Sequence, residues 1–137
     1  MSERNFLIIW DWAGTIRLQS RDGSPAINPV ALQWLDIFRT HKSIQCVVSN
    51  ESNHDRLLKQ ITELDLSSYF SRRIFSPNNK YRPKPYPDLY YALAKEIDTA
   101  AKDIIFVGDS LTDKEFAEAV GIKFVQISEI MHLDLFK

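Results

Sequence analysis

The stretch Phe6-Leu7-Ile8-Ile9-Trp10-Asp11-Trp12-Ala13-Gly14-Thr15 decides the fold, because an unbroken apolar run ends at a carboxylate followed by a Gly-Thr turn. A strand buried on both faces is written as a continuous hydrophobic run rather than an alternating one, and such strands belong to parallel sheets. In open α/β sheets, ligands settle just past the carboxyl ends of these strands. Asp11 therefore stands where chemistry is expected. Ile104-Ile105-Phe106-Val107-Gly108-Asp109-Ser110 repeats the design near the other end of the chain. Two carboxylates at two strand ends point to a cation between them.

Outward from the first strand, Arg17 to Ala26 reads as a polar, turn-rich loop around Asp22-Gly23-Ser24-Pro25. Asn28-Pro29 then announces a helix, since Asn is a preferred N-cap and Pro suits the first helical position. Val30, Leu32, Leu35, Ile37 and Phe38 give that helix an apolar face running to about His41. Ile44 to Val48 is a second strand, Ser49 to Asn53 a loop and cap cluster, and Leu57, Leu58, Ile61 and Leu64 mark a second amphipathic helix. Ile74-Phe75 is a short strand. Ser76 to Pro87 holds four of the six prolines and reads as an exposed connection. A helix with Leu89, Tyr90, Leu93, Ala94 and Ile97 on one face follows, then a strand from Asp103 to Gly108 and a helix from Leu111 to Val120. Gly121 closes that helix, Lys123 to Ile127 is a last strand, and Ile130 to Phe136 forms a short terminal helix. Strands alternating with helices predict a doubly wound parallel α/β sheet, one domain over residues 1–137.

The composition excludes several function classes. A formal net charge of −1 gives bulk nucleic-acid binding no electrostatic support. Arg72-Arg73 and Lys80-Tyr81-Arg82 mix basic and aromatic residues but are short enough to be solvated loops. The 45% hydrophobic content of 137 residues suffices for a single core. One cysteine, Cys46, sits in an apolar run, which rules out a disulfide framework and fits a reducing cytoplasm. No run approaches the ~20 apolar residues that span a bilayer, and the first residues do not read as a secretory signal. His41, His54 and His132 have no metal-ligand spacing. Trp10 is expected in the core; Trp12 walls the site or packs.

Asp11, Ser49, Lys84 and Asp109 lie at strand ends or in the loops that follow, with Asp113 one helical turn beyond the last. On one parallel sheet these loops converge on one edge. Asp11 and Asp109 are suitable hard-oxygen ligands for Mg²⁺, and Ser49 and Lys84 suit a phosphate. A carboxylate that attacks phosphorus needs its charge, and that of the phosphate, offset by a metal and a lysine.

These residues fall in four segments, Asp11-Trp12-Ala13-Gly14-Thr15, Ser49-Asn50, Lys84-Pro85-Tyr86-Pro87-Asp88 and Gly108-Asp109-Ser110-Leu111-Thr112-Asp113. Together they resemble the four ordered motifs of the haloacid dehalogenase superfamily, across nearly the whole chain. The resemblance implies that Asp11 is a nucleophile forming an aspartyl-phosphate and that Ser49, Asn50 and Lys84 bind phosphate. It further implies that Asp109 holds Mg²⁺, with Asp113 as ligand or support and the Ala13 backbone carbonyl as a further ligand. Most members are phosphatases, and those usually carry a second Asp two positions after the nucleophile, where this chain has Ala13. That removes a general acid, a contribution of ~10²–10⁴-fold; His54 is one conceivable substitute.

The first motif also resembles that of phosphonoacetaldehyde hydrolases, whose Schiff-base lysine belongs to an inserted cap. No lysine occurs between Thr15 and His41, so a borrowed lysine such as Lys42 or Lys80 would be needed for carbon–phosphorus cleavage. A capless site favours a large or macromolecular phosphorylated substrate, or a homo-oligomer that covers the entrance. The expectation is a Mg²⁺-dependent phosphatase-like hydrolase. The rival is a binding or regulatory protein that keeps the site and has lost turnover.

Overall fold

The computed structural model describes residues 6–100 and 103–135. Strand β1 (Phe6–Trp10) is buried along its whole length and lies at the centre of a five-stranded sheet. On one side it pairs with β4 (Ile44–Val48), which pairs in turn with β5 (Ile74–Phe75); on the other it pairs with β6 (Asp103–Gly108), followed by β7 (Lys123–Gln126). Every one of these pairs is parallel. The chain leaves β1 for one flank and returns to the other, so β1 borders the point where the strand order reverses. Trp10 lies opposite both Val47 and Val107. Asp11, Ser49 and Asp109 therefore emerge at the same edge, within about one residue's rise of ~3.3 Å of one another.

Helices cover both faces. Phe6, Ile8 and Trp10 point to a core shared with Ala31, Leu35 and Phe38 of α1 (Pro29–Thr40) and Leu57 and Ile61 of α2 (His54–Glu63). Leu7 and Ile9 point the other way, onto Leu89 and Leu93 of α4 (Asp88–Glu96) and Phe116 and Ala117 of α5 (Leu111–Val120). This two-sided burial is why β1 reads as a continuous apolar run. The polar tip of fully buried Trp10 is satisfied by Gln45 Oε1 at 2.8 Å, and the Gln45 amide donates onward to the Leu35 carbonyl. Caps fall where the sequence places them: Asn28 accepts from the Val30 amide, Asn53 from the Arg56 amide, and Gly121 ends α5 with a left-handed φ of 74°.

Four expectations are corrected. Arg17 to Ala26 is not a plain loop but part of an antiparallel hairpin, β2 (Arg17–Gln19) with β3 (Pro25–Ile27). Its turn is organised by Ser20 and Ser24, whose hydroxyls and amide hold the Asp22 carboxylate well below the usual range. A one-turn helix, α3 (Ser67–Phe70), lies where nothing was expected, too short to show a period. The last strand ends at Gln126, and the turn after it is a 3-10 helix over Ile127–His132 rather than a helix from Ile130 to Phe136. Phe136 lies outside the described residues. The connection Ser76 to Pro87 is not uniformly exposed either, since Ser76 and Lys84 within it are buried.

Candidate active site

At the carboxyl edge of the sheet a cavity of about 480 Å³ gathers Asp11, Ala13, Ser49, Asn50, Lys84, Asp109 and Asp113. All the residues singled out from the sequence thus line one space. A larger cavity of about 620 Å³ opens beside β5 and is lined by His54, Phe75, Ser76 and Tyr81 among others, but it contains none of Asp11, Ser49, Lys84, Asp109 and Asp113. His54 belongs there, with Nδ1 2.6 Å from Ser76 Oγ, so it does not stand in for a proton donor beside Asp11. Lys42 and Lys80 do not line the smaller cavity.

Lys84 is the centre of the arrangement. Its side chain is only 2% exposed, and Nζ donates to Asp11 Oδ1 at 2.9 Å, Asp113 Oδ1 at 2.7 Å and the Val48 carbonyl at 2.8 Å. An ammonium has three protons, so all are spent. The loop that carries Lys84 is fixed by Asn50, whose side chain accepts from the Lys84 amide at 2.8 Å and donates to the Lys84 carbonyl at 3.0 Å. Asn50 therefore positions the lysine. Ser49, at the end of β4, is buried, and its Oγ accepts from the Glu51 amide at 3.1 Å.

The carboxylates differ in surroundings. Asp11 is 8% exposed, and burial pushes its carboxyl up from 3.8 to about 7, against the opposing pull of Lys84 and with Asp113 adding to the rise. Burial also pushes Asp113 up, but Lys84, Ser110 and the Asp109 amide outweigh it and hold that carboxyl below the usual range. Asp113 sits at the third position of α5 and closes a capping box with Ser110. Asp109 is exposed. The hydroxyl of fully buried Thr15 lies 3.1 Å from Asp11 Oδ2 and 3.3 Å from Asp109 Oδ1.

One oxygen from each of Asp11, Asp109 and Asp113 lies within 4.8 Å of the others. Lys84 pairs with Asp11 and Asp113 but not with Asp109, so the three carboxylates outnumber the ammonium among them, and a hard divalent cation fits that deficit. Gly14 and Gly108 make the approach possible. Gly14 has φ 83°, and a Cβ there would run into the Asp109 carboxylate; a Cβ on Gly108 would meet Asp113 at 2.6 Å.

Five lining residues, Arg17, Glu51, Gln60, Ser110 and Thr112, were given no site role from the sequence. Arg17 opens the hairpin, Thr112 lies in the first turn of α5, and Gln60 of α2 accepts from Trp12 Nε1 at 2.9 Å. Gln60 carried one faint signal, a polar side chain beside the buried Ile61, and Thr112 and Ser110 lie within the fourth motif; Arg17 carried none. Trp12, 1% exposed, both packs in the core and walls the site.

A family model described as haloacid dehalogenase-like hydrolase matches residues 29–127, and the chain belongs to that family. Solved structures share the fold. A HAD-superfamily hydrolase, subfamily IA, variant 1, from Geobacter sulfurreducens PCA is 17% identical, with a TM-score of 0.76 over 95% of this chain and 100% of that one. A HAD-superfamily hydrolase from Ehrlichia chaffeensis is 24% identical, with a TM-score of 0.61 over 80% of this chain and 50% of that one. A HAD family hydrolase from Deinococcus radiodurans R1, solved with bound phosphate and sodium, is 23% identical, with a TM-score of 0.65 over 74% and 44%. This chain thus spans half or less of the Ehrlichia and Deinococcus proteins. No curated protein matches it. No helix among the described residues is long and apolar enough to cross a membrane.

Proposed function

We propose that the chain is a Mg²⁺-dependent phosphoryl hydrolase that works through an aspartyl-phosphate on Asp11. The observation that carries this reading is Lys84, buried and hydrogen-bonded to Asp11 and Asp113 at the one edge where β1, β4 and β6 end. An Asp11 oxygen attacks phosphorus, the bond to the leaving oxygen breaks, and water then attacks phosphorus to return free Asp11 and inorganic phosphate. Lys84 holds Asp11 in place and offsets charge as phosphate arrives; Ser49 and the loop beyond it receive phosphoryl oxygens. Asp11, Asp109 and the Ala13 carbonyl would hold the cation. Asp113 supports them, since Oδ1 faces Lys84 and Oδ2 is taken by Ser110 and the Asp109 amide. Mg²⁺ bound there supplies the positive charge that keeps Asp11 ionised and the phosphate approachable. The phosphate and sodium in the Deinococcus structure support the choice of ligand class. By the same reading the protein works in the cytoplasm on a phosphorylated substrate large enough to cover the entrance, or as an oligomer that covers it.

The test is Mg²⁺-dependent phosphate release from 4-nitrophenyl phosphate, whose phenolate leaves with little help from an acid. Wild type is expected to turn over and Asp11→Asn to fall to background. Turnover that survives Asp11→Asn removes the nucleophile from the mechanism; none from wild type favours the binding or regulatory role, to which Ala13 is the pointer.

A further inference from the structure

A leaving group in this cavity has no proton waiting for it. Position 13 carries a methyl group, and His54 faces a different cavity. Every Lys84 proton is aimed at an acceptor. Asp113 accepts with both oxygens, and Glu51 is engaged by the Asn53 amide and lies 3.9 Å from Arg56. Asp109 and Asp11 are the carboxylates that would hold the cation. Among the described lining residues, no carboxylic acid or imidazole outside the cation pair is placed to protonate what departs.

Arg17 is the lining cation with donors to spare. Its side chain is half-buried, its Nε is shielded from solvent without a partner, and among the described residues the guanidinium makes no hydrogen bond or ion pair. Its backbone is clamped to the nucleophile's loop: the Arg17 amide donates to the Trp12 carbonyl at 3.0 Å, and the Arg17 carbonyl accepts from the Gly14 amide at 2.8 Å. Ala13 and Arg17 bridge directly. Arg17 thus stands on the wall of Ala13, whereas Ser49 and Lys84 come from the β4 side. A guanidinium stays charged at any working pH and offers a planar fork that matches carboxylate and phosphate oxygens two at a time.

We propose that Arg17 receives the leaving group as an oxyanion. The site then selects phosphoryl groups carried on a weakly basic oxygen, as in an acyl phosphate or a phosphoanhydride, over alkyl phosphates. This rests on Asp11 as nucleophile. As the Asp11–phosphorus bond forms, the bond from phosphorus to the carboxylate or phosphate oxygen breaks, and that oxygen keeps the electron pair beside Arg17. Water then attacks the aspartyl-phosphate, and one proton is released as inorganic phosphate leaves. An alkoxide is too basic to leave this way, while a carboxylate gains nothing from protonation at neutral pH.

The experiment measures kcat/KM with Mg²⁺ for acetyl phosphate, pyrophosphate and glycerol phosphate, with 4-nitrophenyl phosphate as the reference for Asp11. Arg17→Gln should lower kcat/KM for acetyl phosphate or pyrophosphate about ten- to a hundredfold, the scale of a charge-assisted hydrogen bond. Arg17→Lys should recover part of that loss. Ala13→Asp should raise glycerol phosphate turnover at least about tenfold and so shrink the preference. Whichever of acetyl phosphate and pyrophosphate depends more on Arg17 identifies the source of the anion. If 4-nitrophenyl phosphate is turned over through Asp11 but Arg17→Gln, melting as wild type does, leaves all rates intact, the proposal is overturned and the nucleophile stands. Glycerol phosphate used as well as acetyl phosphate would overturn it too. If wild type fails on every substrate, both readings fall.

Discussion

Replacing Lys84 by Met keeps the length of the buried stem and removes only the ammonium. What remains are two buried carboxylates with oxygens 2.7 and 2.9 Å from where the ammonium was, plus the Val48 carbonyl, all losing their donor. Breaking a buried ion pair by deleting one partner costs ~3–5 kcal/mol, because the remaining charge has no compensation. For a chain of this size each kcal/mol moves the melting temperature by roughly 3–5 °C, so Lys84→Met should melt about 10–20 °C lower at pH 8 in chelator. The cost has a sign that identifies its origin. Protonating a carboxylate removes the uncompensated charge, so the gap between variant and wild type should narrow at pH 5. Adding Asp11→Asn to Lys84→Met removes one of the two orphaned charges and should restore part of the loss. Thermal melts of the four proteins at the two pH values decide the matter. A penalty under ~1 kcal/mol, or one that is equal at both pH values, would refute the view that Lys84 compensates buried charge here.

Asp11 itself carries a second prediction. Its carboxyl is raised in the folded chain from 3.8 to about 7, so its contribution favours folding fully below pH 3.8 and is lost as pH rises to about 7. At ~1.4 kcal/mol per tenfold change in proton affinity this amounts to at most ~4 kcal/mol. Asp11→Asn should therefore be more stable than wild type at pH 8 in chelator and differ little from it at pH 4; a difference that does not change with pH argues against the burial origin. Mg²⁺ should raise the melting temperature of wild type at pH 8 and leave Asp11→Asn nearly unmoved, as read by the same melts. Gly14→Ala combines a left-handed φ of 83° with a methyl group aimed at the Asp109 carboxylate. It should cost ~1–3 kcal/mol and abolish Mg²⁺-induced stabilisation, which titration of the melting temperature with Mg²⁺ checks.

The strands that deliver the site were legible because burial on both faces leaves an unmistakable record: Phe6–Trp10 and Asp103–Gly108 have no polar alternation to confuse with a loop. Their shared edge followed from connectivity, and with it the meeting of Asp11, Ser49 and Asp109. The hairpin after β1 was not legible, because Arg17, Gln19 and Ser24 are polar on both sides and its order comes from side-chain hydrogen bonds around Asp22. Nor were the partnerships of Lys84, which join positions 73, 36 and 29 residues away. Its prolines spoke for an exposed loop; burial came from acceptors that the sequence does not place. Nor did the sequence show that the Asn50 side chain would fix the Lys84 backbone.

Asp113 performs two duties with one carboxylate, closing the first turn of α5 through Oδ2 and gripping Lys84 through Oδ1. Local stability and site geometry are thereby tied in a single side chain. A movement of the Asp113 carboxylate that opens the first turn of α5 also withdraws an acceptor from the lysine, and losing the lysine removes one of the two anchors that hold that carboxylate in place. Hydrogen exchange at the Ser110 and Asp113 amides would consequently report on the state of a lysine more than two dozen residues distant in the chain, slowing when it is engaged and quickening when it is withdrawn.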